Sequence, residues 1–218
     1  YEEIHRFENV PIEKDGHLCW DVETLLKEIH TAIQKAGTFD SLGFDTWGVD
    51  FGLLDADGHL LANPVHYRDA RTNGKPEQAA ACMPAEELYA HTGNQIMAIN
   101  TLFQLLALQE QEPELLQKAE QILFMPDLFA ALLGAEPVCE RSIASTSQML
   151  DPRTGQWSRE VLTAYGLKEN HFAPLVASGT VTGTLTTGAK IIAVAGHDTQ
   201  CASAAMPCAE EDAEHTVF

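Results

Sequence analysis

Ile191-Ile192-Ala193-Val194-Ala195-Gly196-His197-Asp198-Thr199-Gln200 is the stretch whose reading decides the fold. A short apolar run of β-forming residues ends in glycine. A His-Asp-Thr triplet follows, and then the small-residue helix pattern Cys201-Ala202-Ser203-Ala204-Ala205. A buried strand that feeds a helix puts the triplet at the strand's C-terminal end and in the helix's first turn. In α/β folds that is where ligands meet side chains. Asp198 there lies near the positive end of the helix dipole, which favours its ionised form. A positioned carboxylate can take a proton from a substrate hydroxyl. Asp and Thr are also common helix N-caps. The segment alone leaves the chemical and the capping roles open.

Working outward, Asp21 is placed to cap a helix with its apolar stripe at Val22, Leu25, Leu26, Ile29, Ala32 and Ile33, ended by Gly37. Ser41–Phe44 reads as a short strand. Val49, Phe51 and Leu53 alternate with Asp50, Gly52 and Leu54 as a second one. Asp55-Ala56-Asp57-Gly58 is a turn, with His59–Ala62 as the expected hairpin partner. Tyr1–Phe7 half-alternates like a strand. Helical patterns then dominate: Glu77–Cys82, Ala85–His91, Thr101–Gln109, Asp127–Leu133 before Gly134, and Ser158–Tyr165 before Gly166. Ser142–Leu150 fits strand and loop equally. The class is α/β, with a helical insertion between the hairpin and the final strand. No internal repeat or low-complexity tract interrupts it.

Composition narrows the partners. With 32 acidic residues against 13 Lys and Arg, the formal net charge is −19. Nucleic-acid partners need a basic surface, and anionic membranes repel this one. The plain effect of such charge is solubility. A neutral small substrate is indifferent to it, whereas a polyanion needs Mg²⁺ or backbone N–H groups to help. The five cysteines, Cys19, Cys82, Cys139, Cys201 and Cys208, show no CxxC, so a reducing, cytoplasmic setting fits best. Metal sets built from His17 with Cys19, or from Cys201, Cys208 and His215, match no standard spacing; no metal site is expected. No apolar run is long enough to span a membrane, and no signal peptide is visible.

Two further clusters carry chemistry. Gly43-Phe44-Asp45-Thr46-Trp47-Gly48-Val49-Asp50-Phe51 crowds two acids, an indole and a glycine where one strand pattern breaks and another begins. Indole faces stack on sugar rings, and glycine lets a ligand approach the backbone; a bulge glycine beside a core Trp fits as well. Val65-His66-Tyr67-Arg68-Asp69-Ala70-Arg71-Thr72-Asn73 gathers two cations, an acid and aromatic rings. Surface ion pairs are the plain alternative there.

Taken in order, Phe44–Phe51, Tyr67–Asn73, Asn100–Leu105, Met125-Pro126-Asp127 and Gly196–Thr199 resemble the FGGY carbohydrate kinases over essentially the whole chain. Within that family, the Asp-Thr-Trp-Gly-Val-Asp-Phe and Tyr-Arg-Asp-x-Arg-Thr-Asn segments resemble its L-rhamnulose branch. The resemblance implies an actin/ribonuclease-H-like fold of two lobes with sugar and ATP meeting between them. It implies Asp198 as the general base on the sugar hydroxyl. It implies Gly48, His197, Asp198 and Thr199 as contacts to a ketose, with Trp47, Tyr67 and Asp69 lining the same region. It implies ATP and Mg²⁺ as the parent's cofactors. The family's Gly-rich first hairpin, its Ser-Ser-Gly-Thr-like phosphate turn and its C-terminal lobe find no match, so residues 1–218 are expected to form a partial sugar-binding lobe without its own nucleotide site.

Three other readings stand beside this one. One is another ketose or polyol kinase of the family. Another is a non-catalytic sugar-binding module. The last is a glycosidase pairing Asp45 or Asp50 with Asp198.

Overall fold

A computed structural model describes residues 2–207. Cys208, His215 and the stretch after them lie outside the described residues. The strand expected at Tyr1–Phe7 is not formed over residues 2–7. The first hairpin comes later, β1 (Ile12–Lys14) with β2 (His17–Cys19). Its turn has φ of 55° at Asp15 and 86° at Gly16, the left-handed pair that a two-residue hairpin needs and that Asp-Gly accommodates.

Helix α1 (Val22–Ala36) follows, with the Asp21 side chain accepting from Thr24 N–H as expected. Then come β3 (Ser41–Leu42) and β4 (Phe51–Leu54). All four β4 residues are buried, so its alternation marks no solvent face. Its partner is not His59–Ala62, which touches it only through a bridge between Leu54 and Leu60. The antiparallel partner is β5 (Gln121–Phe124), about 70 residues away, with Phe51 opposite Phe124. Between them lie α2 (Lys75–Ala79), α3 (Ala85–Thr92), α4 (Thr101–Gln111) and α5 (Pro113–Lys118). After β5 come α6 (Met125–Leu132), β6 (Cys139–Glu140) and α7 (Arg141–Ala144). The undecided Ser142–Leu150 stretch is therefore mostly a helical turn, entering β7 (Leu150–Asp151) only at its end. Next are β8 (Gln156–Trp157), α8 (Arg159–Ala164) capped by Ser158, and β9 (Leu175–Val176).

The chain closes on a three-stranded sheet in which β11 (Lys190–Ala193) lies between antiparallel β10 (Thr180–Thr184) and parallel β3. Helix α9 (Asp198–Ala204) leaves its end. The parallel pairing continues beyond both strands. Thr46 N–H donates to Gly196 O (3.1 Å) and Asp198 N–H to Thr46 O (2.9 Å). Two chain segments thus emerge side by side at one end of the sheet, where open α/β sheets place their ligands. One hydrophobic core, built around Leu102, Phe103, Leu105, Phe124, Met125 and Leu128, fixes the helices beneath them. Among the described residues, no helix is long and apolar enough to cross a membrane, and the four cysteines are free.

Asp127, in the first turn of α6, is 4% exposed and accepts Glu140 N–H at 3.1 Å. Burial pushes its pKa to about 8; the Glu140 N–H bond opposes the rise and the Glu140 charge adds to it. A carboxyl whose folded pKa is raised stabilises the fold below its ordinary pKa, and that contribution is lost as pH climbs through about 8. Asp127→Asn keeps the acceptor and carries no charge at any pH. Its melting temperature, minus that of wild type, should therefore increase between about pH 6 and pH 9. A difference that stays constant across that range would show that Asp127 holds no proton in the folded state.

Candidate functional site

The site is assembled around a buried carboxylate that does not itself face it. Asp50 is 0% exposed. Its Oδ2 accepts from Trp20 Nε1–H (2.6 Å), Trp47 Nε1–H (3.0 Å) and Tyr67 N–H (3.2 Å); its Oδ1 accepts from Gln104 Nε2–H (2.8 Å). Burial lifts its pKa to about 6 against these four bonds, so it remains a carboxylate at neutral pH. Around it four rings stack in series. Trp47 and Trp20 have centroids 4.1 Å apart, Trp20 and His66 4.1 Å, and His66 and Tyr67 4.5 Å. The outer two, Trp47 and Tyr67, face an open cleft of ≈ 400 Å³, a size suited to a small molecule.

Between Trp47 and Asp50 the chain turns sharply. Val49 has φ 66° and Asp50 N–H donates to Gly48 O at 2.8 Å. This is a γ-turn of the strained hand, costly for a β-branched residue. It is held on both sides. Val49 N–H donates to Thr146 Oγ1 (3.0 Å), and Val49 O accepts the Thr101 hydroxyl (2.6 Å). The positive φ thus falls on Val49, while Gly48 serves close approach. A Cβ at Gly48 would sit 3.0 Å from Thr146 Cγ2 and 3.3 Å from the His197 ring.

The neighbouring wall is the loop leaving β11, which runs beside Thr46. Gly196 lets it lie against α6, where a Cβ would meet Pro126 Cγ at 2.8 Å. His197 and Asp198 line the cleft. The Asp198 side chain is 62% exposed. Its Oδ1 accepts Thr199 N–H (2.6 Å) and the Thr199 hydroxyl (3.2 Å), with His197 Nε2 at 3.2 Å. No described side chain occupies Oδ2. His197 stands at the N-cap position without a side-chain cap bond, so Asp198 begins the helix and does not cap it.

Of the residues singled out in the sequence, Trp47, Gly48, Tyr67, His197 and Asp198 come together in this cleft. Two do not line it. Thr199 is exposed and touches the site through the Asp198 carboxylate. Asp69 is a scaffold residue: its carboxylate accepts Leu18 N–H (2.8 Å) and Arg71 N–H (2.9 Å) and meets His17 Nδ1 (3.2 Å), tying the first hairpin to the 3₁₀ turn Ala70–Thr72. Arg71 is buried and donates to Gln104 Oε1 (2.9 Å), so the Val65–Asn73 cluster is not a set of surface ion pairs.

Among the described residues the paired-acid alternative finds no second acid in the cleft lining. Asp50 is fully buried, and Asp45 lies outside the lining, although burial and the nearby Asp198 charge raise its pKa. Asn94, Gln95, Met97 and Thr146 also line the cleft and carried no sequence signal. Asn100, also in the lining, accepts Met97 N–H (2.7 Å) and donates to Thr146 O (3.2 Å). Among the described residues, the one group of three potential metal ligands is Asp55, Asp57 and His59, in an exposed turn away from this lining.

All four partners of Asp50 are donors, which only an acceptor-only group satisfies. Asp50→Asn would turn an NH₂ towards either Gln104 or the indoles. It should destabilise the chain by about 2–3 kcal/mol despite its matched shape, measured by urea unfolding at neutral pH. A loss under about 1 kcal/mol would show that these donors find other acceptors.

With this geometry in hand, comparison with known proteins is informative. Residues 5–204 match the N-terminal domain of the FGGY family of carbohydrate kinases. The chain is 40% identical to the rhamnulokinase of Bacteroides thetaiotaomicron, over 97% of this chain and 46% of that protein. It is 38% identical to the rhamnulokinase of Halalkalibacterium halodurans, over 94% of this chain and 46% of that protein. It thus spans about half the length of the curated relatives it matches. Among solved structures it resembles a ligand-bound xylulose kinase of Lactobacillus acidophilus, with a TM-score of 0.81 at 17% identity over 89% of this chain and 43% of the other. It also resembles a glycerol kinase of Plasmodium falciparum with ADP, with a TM-score of 0.73 at 16% identity over 89% of this chain and 43% of the other. The fold is therefore the actin/ribonuclease-H-like α/β lobe of these enzymes, and the chain belongs to the FGGY family of carbohydrate kinases.

Proposed function

We propose that this chain is the sugar-binding lobe of a kinase that transfers the γ-phosphate of ATP to L-rhamnulose, giving L-rhamnulose 1-phosphate. The carrying observation is the meeting, in one cleft, of an aromatic wall, a closely approached glycine backbone and an exposed carboxylate held at one oxygen by its described neighbours. The ketose lies against Trp47 and Tyr67, which offer apolar faces to a sugar ring. Gly48 brings backbone to it, and His197 with Asn94 and Gln95 supplies hydrogen-bonding groups.

Asp198 acts as general base. Thr199 and His197 hold Oδ1, so Oδ2 takes the proton of the attacking hydroxyl. ATP supplies the phosphoryl group, and Mg²⁺ offsets its charge. Among the described residues the cleft would offer such an ion only the Asp198 carboxylate. The alternatives are a kinase of the same family acting on another ketose or polyol, and a sugar-binding module without catalysis.

In the full-length protein, Asp198→Asn should lower kcat by ~10²–10⁴ while ketose binding is largely kept. Near-normal turnover would remove Asp198 from the mechanism. Gly48→Val should raise the KM for L-rhamnulose far more than that for ATP, because the new side chain enters the space between Thr146 and His197. A lowered melting temperature with unchanged KM would leave Gly48 a packing residue. ATP-dependent phosphorylation by wild type separates the kinase from the binding module, and relative kcat/KM across ketoses identifies the substrate.

A further inference from the structure

Glu140 is 1% exposed and has five hydrogen-bond donors on its carboxylate. Three belong to its own helix. Its Oε2 accepts Ser142 N–H (3.0 Å), the Ser142 hydroxyl (2.6 Å) and Ile143 N–H (3.2 Å), which makes Glu140 the N-cap of α7. That helix runs directly into Thr146, on the cleft wall beside Gly48. The other two donors come from elsewhere. Gly196 N–H donates to Oε2 at 3.3 Å and the Ser178 hydroxyl to Oε1 at 2.6 Å.

Gly196 immediately precedes His197 and Asp198. On one side its carbonyl is paired with Thr46 N–H. On the other, β10 pairs with β11 only as far as Thr180 opposite Ala193. Beyond that point the Glu140 carboxylate accepts from both the Ser178 hydroxyl and Gly196 N–H. A single buried side chain therefore ties the wall carrying Thr146 to the wall carrying Asp198. Capping α7 does not require the second contact.

We propose that Glu140 is a positioning residue for Asp198. By holding Gly196 N–H, it sets the place of the His197–Asp198 loop relative to Thr146 and Gly48. This rests on the kinase reading for its effect on turnover, but not for its effect on the loop.

Two sets of variants test it. Asp and Asn rank among the best N-caps, so Glu140→Asp and Glu140→Asn keep the cap but are one methylene too short to reach Gly196. Glu140→Gln keeps the length. Its amide oxygen keeps an acceptor of the same reach facing the α7 N–H groups and Gly196 N–H, and its NH₂ can donate to the Ser178 hydroxyl. In the 218-residue chain, hydrogen exchange of the amides of residues 196–198 should speed up in the Asp and Asn variants and stay near wild type in the Gln variant. In the full-length kinase, the same two short variants should lose about 10–10² in kcat, as a slightly misplaced reacting group does. The KM for ATP should be unchanged, and Gln should restore turnover.

Unchanged exchange at 196–198 in both short variants overturns the proposal, as does faster exchange with kcat intact. Failure of both short variants to fold beside a folded Gln variant also overturns it, by making Glu140 a residue of the fold alone. If full-length wild type phosphorylates no ketose, the proposed function fails, and the exchange result by itself decides the role of Glu140.

Discussion

The cleft depends first on one unfavourable burial. Removing the Asp50 carboxylate from water is costly, as its raised pKa records. Only donors arranged around it make the burial tolerable, and those donors are the parts that need placing. The Trp47 indole, the Trp20 indole behind it, the backbone of Tyr67 and the Gln104 amide all converge on two oxygens. Gln104 in turn accepts from the buried Arg71. The aromatic wall is therefore fixed by directional bonds from beneath, which hydrophobic packing alone would not supply. The same anchoring explains the strained γ-turn. With Asp50 held inward and Val49 bonded at both its N–H and its carbonyl, the intervening backbone has little other path.

The second wall is built differently. Its position comes from parallel pairing of β3 with β11, prolonged by Thr46, Gly196 and Asp198. Trp47 and Gly48 follow the first strand and His197 and Asp198 the second, so adjacent parallel strand ends deliver both walls to one place. That is the reason a doubly wound sheet concentrates ligand contacts at its carboxyl edge. Close packing of Gly196 on Pro126 and the Glu140 carboxylate then limit how far the loop can move.

Local signals in the sequence carried much of this. Helix α1 announces itself through Asp21 and its apolar stripe, α8 through Ser158, and the β11–α9 junction through an apolar run, a glycine and small residues. What escaped was non-local. Ile122, Leu123 and Phe124 are buried throughout, so β5 shows no alternation, and its pairing with β4 spans some 70 residues that no local pattern encodes. Thr146 and Asn94 reach the cleft from neutral stretches without periodicity, and only tertiary packing brings them there. Asp69 failed for the opposite reason. Its neighbours looked chemical, but three nearby donors from the first hairpin and the 3₁₀ turn claim its carboxylate for the scaffold.

Charge distribution completes the argument. The chain carries a formal −19, yet among the described residues the cleft lining holds a single acid, Asp198, beside His197, with uncharged polar, aromatic and aliphatic groups for the rest. A neutral polyol can enter such a site without feeling the overall field, which falls off within a Debye length in salt. Among the described residues no Lys or Arg is part of this lining, and the Arg68 guanidinium stands over the Tyr67 ring of its aromatic wall, 5.2 Å from the ring centroid. Sugar recognition and phosphate recognition thus ask for opposite electrostatics. A cleft whose described lining holds one carboxylate among uncharged groups and a histidine suits a neutral ligand better than an anionic one, because only the anion meets the repulsion of that carboxylate.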